Sequence, residues 1–118
     1  YRFETLLNVY ATRAMVIVFK SNDTPFNVII CCVLYRYDEV CKPGYNFVSG
    51  GFSSGTGHFT QVVWKDSVKL GIGQGKATQN GMQCIYVVGR YDIAGNMMGE
   101  FQDQVMRGNF NEGYCNNV

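Results

Sequence analysis

The sequence predicts an α+β domain built on a mainly antiparallel sheet. Apolar side chains near the N-terminus recur with a helical period, and Thr56 to Trp64 has the polar start and two-sided pattern of a short helix. Two β-patterned runs are joined by Asn80-Gly81, a strong signal for a two-residue hairpin turn. With 118 residues and 47% apolar side chains, the chain is the size of one globular domain.

Taken in order, Phe3, Leu6, Leu7, Tyr10 and Ala14 give a weak amphipathic helix over residues 1–15. Met15 to Phe19 reads as a short buried strand and Ser21 to Pro25 as a turn. Phe26 to Leu34 is a β-branched apolar run that suits either a strand or the start of the next helix. Tyr35 to Val40 reads as helix, broken by Lys42-Pro43-Gly44. Ser49 to Gly55, rich in Gly and Ser, is a flexible surface loop.

Leu70-Gly71-Ile72-Gly73-Gln74-Gly75 alternates side chain with glycine, so one face of that strand is bare and open to close approach by a neighbouring element. It is not a dinucleotide loop, because the glycine spacing fails at Lys76 and no helix follows. Met82 to Tyr91 is apolar on both faces and belongs at the centre of a sheet. Asp92 to Asn96 forms a turn, Phe101 to Val105 a short terminal strand, and the Asn- and Gly-rich residues after Met106 a disordered tail.

The net charge is +1 and charged residues are 16% of the chain, which argues against a nucleic-acid binder working through a basic patch. No apolar run reaches the length of a transmembrane helix. The five cysteines, Cys31, Cys32, Cys41, Cys84 and Cys115, leave at least one thiol free or paired between chains. With one His and no C-x-x-C, no zinc finger can be assembled. The sequon Asn22-Asp23-Thr24 carries little weight, since Pro25 follows it. The chain starts at Tyr1 with no signal peptide or myristoylation start, as if a leader had been removed or the chain were a fragment.

Thr56 to Trp64 holds the only His and the only Trp. On a helix with Thr56 as N-cap, His58, Gln61 and Val62 share one face and Phe59 and Val63 another. A lone His on a short apolar helix is ordinarily a hydrogen-bonded structural residue. The stretch Gly57-His58-Phe59-Thr60-Gln61-Val62-Val63-Trp64, however, resembles the signature octapeptide of the CAP superfamily, the cysteine-rich secretory, antigen 5 and pathogenesis-related-1 proteins. Tyr37-Asp38-Glu39-Val40 with Tyr45-Asn46-Phe47 resembles the family's W-Y-x-E-V helix and its exit. Lys69 to Gly73 resembles the strand after the signature, and Val87 to Asn96 the second signature, V-V-x-R-Y-x-P-A-G-N, with Ile93 in place of Pro. The four blocks stand in the family's order.

The resemblance implies an α-β-α sandwich around the sheet. It divides the chain into a divergent or incomplete N-terminal segment (1–34), a CAP core (35–106) and a flexible tail (107–118). The front segment lacks both the family's first His-bearing helix and its Gly-Glu-Asn segment. It is either a divergent or truncated front end or a mispredicted exon joined to an authentic CAP segment. Two His and two Glu face one another across the cavity of the complete fold. By resemblance Glu39 and His58 are the surviving pair, with Gln61 beside them, and no residue is assigned a catalytic role. No cofactor is expected, because two ligands rarely hold zinc; Glu39 and His58 would be its ligands if any.

The leading expectation is a non-catalytic binding protein for a lipid, a sterol or a protein partner, with no nucleic acid and with peripheral membrane association open to it. The alternatives are a metal-dependent hydrolase using Glu39 and His58, or a fragment with no autonomous function. Most of the superfamily is secreted, which implies an extracellular protein. Gly89, where secreted members usually carry Cys, instead resembles the Golgi-associated plant-pathogenesis-related branch on the cytoplasmic face of membranes.

Overall fold

The computed structural model describes residues 14–19, 33–79 and 81–118. The expected helix at the N-terminus, the turn at Ser21 to Pro25 and the adjacent Cys31 and Cys32 lie outside the described residues. Strand β1, Ala14–Phe19, is followed by helix α1, described over residues 33–38. The end of the ambiguous apolar run is therefore helical. Beyond α1, Val40–Gly44 forms a wide turn in which Lys42 leaves helical geometry and Pro43 prevents its recovery. Helix α2, Gly57–Val62, precedes strands β2, Lys69–Gln79, and β3, Met82–Asp92. Helix α3, Phe101–Gln104, and a 3-10 turn at Glu112–Asn117 close the chain.

The class expected from the sequence, α+β, is the one observed: short helices with a three-stranded antiparallel sheet in the order β1-β3-β2. The hairpin pairs Gln79 with Met82 and Lys69 with Asp92, and Gly81 takes the positive φ (75°) that its tight turn demands. β3 is central, as its two-sided apolar pattern required. It buries Ile85, Val87 and Tyr91 on one face and Cys84, kept as a thiol, on the other.

The bare glycine face of β2 is a different matter. Residues Lys69 to Thr78 are all exposed, and a Cβ at Gly73 or Gly75 would meet nothing within 4 Å. No described element uses the glycines for close approach. β2 is an edge strand among the described residues, and the glycines leave its surface open rather than packed.

The helical layer carries its own core. Val40, Phe59, Trp64, Phe101 and Val105 are buried together, with Tyr37, Tyr45, Phe47 and Phe110 packed against them. Phe59, 2% exposed, is the hub. The rings of Tyr37, Tyr45 and Phe47 stand around it at 5.6, 5.5 and 6.1 Å between centroids.

Two sequence expectations change here. Phe101 to Val105 is not a strand but the short helix α3 with its first following residue. Phe101, Gln104 and Val105 are the buried positions, a spacing of three and four rather than two, and the Gln104 and Val105 amides donate to the carbonyls of Glu100 and Phe101. Residues 107–118, expected to be a flexible tail, are tied back onto α1 and the turn that follows it. Cys115 is disulfide-bonded to Cys41, the Tyr114 hydroxyl donates to Asp38 Oδ1 at 2.5 Å, and Lys42 Nζ donates to the Val118 carbonyl at 2.7 Å. The Asn- and Gly-rich composition sets local turn geometry, with Asn111 Oδ1 accepting from the Gly113 amide, while a covalent bond and aromatic contact hold the segment in place.

Candidate functional site: the Glu39–His58 pair and the two signature stretches

A six-residue helix such as α2 is too short to be stable alone, and four amides at its start lack helical partners. Thr56, expected as the cap, occupies the N-cap position without capping: its hydroxyl donates to the Ser53 carbonyl at 2.8 Å. The cap comes from Glu39, the residue just after α1, instead. Glu39 Oε2 accepts from the His58 and Phe59 amides, each at 3.0 Å, and Oε1 accepts from His58 Nδ1 at 2.5 Å. A carboxylate only accepts, so Nδ1 carries the proton of that bond. Glu39 and His58 are thus in contact across 19 residues, both largely withdrawn from water.

Gln61, expected beside the pair, is turned toward the end of β3. Its Oε1 accepts from the Gly95 amide at 2.8 Å and its Nε2 donates to Ser67 Oγ at 3.0 Å. Ser67 Oγ in turn donates to the Ile93 carbonyl at 2.6 Å. On a helix of under two turns, His58 and Gln61 share a face by count, yet each is drawn to a separate partner. Gly95 must be glycine for this packing, because a Cβ there would lie 2.7 Å from Gln61 Nε2 and 2.9 Å from Trp64 Cγ.

Thr60 makes a second bridge, its hydroxyl donating to Asn96 Oδ1 at 2.6 Å while Asn96 Nδ2 donates to the Gly57 carbonyl at 2.8 Å. Asn96 adopts positive φ (59°), a geometry that asparagine tolerates. Thr60 and Asn96 did not emerge as site residues from the sequence. Their signal was the recurrence of side-chain amides and hydroxyls in both stretches, which becomes meaningful only once the stretches meet.

No protein-family model matches the chain. Golgi-associated plant pathogenesis-related protein 1 of Homo sapiens is 43% identical over 72 residues, covering 59% of this chain and 44% of that protein. Protein PRY2 of Saccharomyces cerevisiae is 41% identical over 70 residues, 59% of this chain and 20% of the relative. Salivary antigen-5 of Dipetalogaster maximus is 43% identical over 75 residues, 64% of this chain and 28% of the relative. The chain belongs to the CAP superfamily.

This CAP chain spans between 20% and 44% of the length of those relatives. Its two CAP signature stretches, Gly57–Trp64 and Val87–Asn96, lie side by side through the Thr60–Asn96 and Gln61–Gly95 hydrogen bonds. Glu39, from the third CAP block, caps the first of them. The CAP motifs therefore read as a mutual-support network around α2. A zinc ion does not fit the residues present. Both Glu39 oxygens already accept hydrogen bonds, and the described residues hold no group of three or more His, Cys, Asp or Glu placed to share a metal, where zinc takes three or four ligands.

Proposed function

We propose that this chain is a non-catalytic binding module of an extracellular CAP protein, with an α-β-α sandwich as its parent fold and a lipid, a sterol or a protein partner as its ligand. One observation carries the proposal: the Glu39 carboxylate is committed to the start of α2. Three of the roughly four acceptor positions of a carboxylate are filled by its own chain, so little remains to activate a water or to steer a substrate. The extracellular assignment rests on the Cys41–Cys115 disulfide, which suits an oxidising compartment. It agrees with relatives named salivary antigen-5 and secreted protein RBT4. The Golgi-associated name belongs to the human relative, and the disulfide weighs against a cytoplasmic face for this chain. No described helix is long and apolar enough to cross a membrane.

The hydrolase reading keeps one point in its favour, the 2.5 Å contact between His58 Nδ1 and Glu39 Oε1, which resembles a base and its orienting carboxylate. His58→Ala decides between the two. Sedimentation with sterol-containing and phosphatidylserine vesicles should change little, and hydrolysis of ester and peptide substrates should be undetectable with or without added zinc. A hydrolytic rate that falls by roughly 10²–10⁴-fold in the variant would establish the enzyme instead. A broad, non-cooperative thermal melt would favour a chain without autonomous function.

A further inference from the structure

Arg36 is 3% exposed, and its guanidinium makes one hydrogen bond, from Nη1 to the Tyr91 hydroxyl at 3.3 Å. Nε and Nη2 are buried without an acceptor. Those two nitrogens form one edge of the guanidinium, the fork whose parallel N–H groups match the two oxygens of a carboxylate. A buried guanidinium without a counter-charge is costly, and among the described residues its acidic neighbours in sequence are engaged elsewhere. Asp38 accepts from Tyr114, and Glu39 caps α2.

The setting selects among anions. Nη1 lies over Gly89, where an added Cβ would sit 3.4 Å from it and 3.5 Å from Leu70 Cδ1. Leu70 pairs with Tyr91 and Ile72 with Gly89, so the β2–β3 surface beneath the guanidinium is apolar apart from one phenol. Arg90 and Lys69 alternate to the opposite face of the sheet. One positive charge on an apolar floor balances one negative charge, whereas phosphate, which carries more, would remain under-compensated. Arg36 also stands where the CAP helix pattern has Trp, and Gly89 where secreted members usually have Cys. We infer that the Nε/Nη2 edge of Arg36, between α1 and β3, is a binding site for a monocarboxylate. The site is separate from the Glu39–His58 pair and does not depend on the function proposed above.

The test is titration of the full chain with sodium acetate, and separately with inorganic phosphate, at constant ionic strength set with chloride. The readout is the Nε–H resonance of Arg36 in ¹H–¹⁵N spectra. Acetate should shift that resonance saturably and raise the melting temperature. Phosphate should bind at least about tenfold more weakly, since its extra charge lacks a partner. Arg36→Lys, which keeps the charge but loses the fork, should weaken acetate by about tenfold or more. Absence of a saturable acetate shift in the unaltered chain overturns the site, and this result needs no variant to fold. Equal acetate binding by Arg36→Lys overturns the role of the fork. Phosphate binding as tight as acetate overturns the choice of ligand.

Discussion

Tyr114 places its phenol against Asp38, and the hydrogen bond to that carboxylate, helped by burial and by the negative charge, pushes the tyrosine pKa up to about 12 from 10.0. The folded state then holds this proton more tightly than the unfolded chain does. The contribution is fully present below pH 10 and is lost as pH rises from there toward about 12. Thermal melts across that window should fall more steeply with pH for the unaltered chain than for Tyr114→Phe, which lacks both the proton and the bond. Identical pH profiles would show that the contact does not persist in solution. The sequence identified Glu39, His58 and Gln61 as polar residues of interest but could not assign their partners. Side-chain bonds of this kind form across 19 to 76 residues, and neither helical nor strand periodicity encodes them.

Helix α2 shows what such a bond does for an element. With six residues it depends on its cap, and the cap is a carboxylate from the turn that follows another helix. Glu39→Gln keeps an acceptor oxygen but removes the charge that faces two amides and the imidazole. It should destabilise the fold by about 1–2 kcal/mol in urea unfolding. His58→Ala leaves both backbone bonds to Glu39 in place and should cost less; the reverse ranking would mean that the imidazole, not the helix start, is what Glu39 serves.

Among the elements, the hairpin is legible because the Asn-Gly signal marks its turn, although β2 runs beyond the glycine-alternating stretch to Gln79. The central place of β3 followed from its apolar residues on two faces. α3 is not legible because five residues with apolar ends fit both periods; what favours the helix is the burial of Gln104, which hydrogen-bonds to Asp66. The cap of α2 was misassigned to Thr56 because local rules look for a cap next to its helix. The tail was misread because composition does not reveal which cysteines meet.

At the scale of the molecule, the Cys41–Cys115 bond closes a loop across 74 residues. By loop-closure entropy alone a ring of that size is worth about 4 kcal/mol. The double variant Cys41→Ser/Cys115→Ser should therefore lose much of the stability of a domain of this size, measured by urea unfolding against the oxidised chain. A loss below about 1 kcal/mol would mean that the unfolded chain is already compact or that the tail is held mainly by its aromatic contacts. Such a contact exists at Tyr37, whose ring meets Tyr114 at 5.5 Å between centroids.

The same ring sets what a protease can do to this protein. The exposed residues Phe52 to Gly55 sit inside it, as do α2, both long strands and α3. A single cut there severs the backbone but releases nothing, since both products stay joined through the sulfurs and part only on reduction. α1 with Arg36, and Glu39 just after it, stand outside the ring, so a nicked chain keeps those two residues covalently attached to the signature stretches they serve.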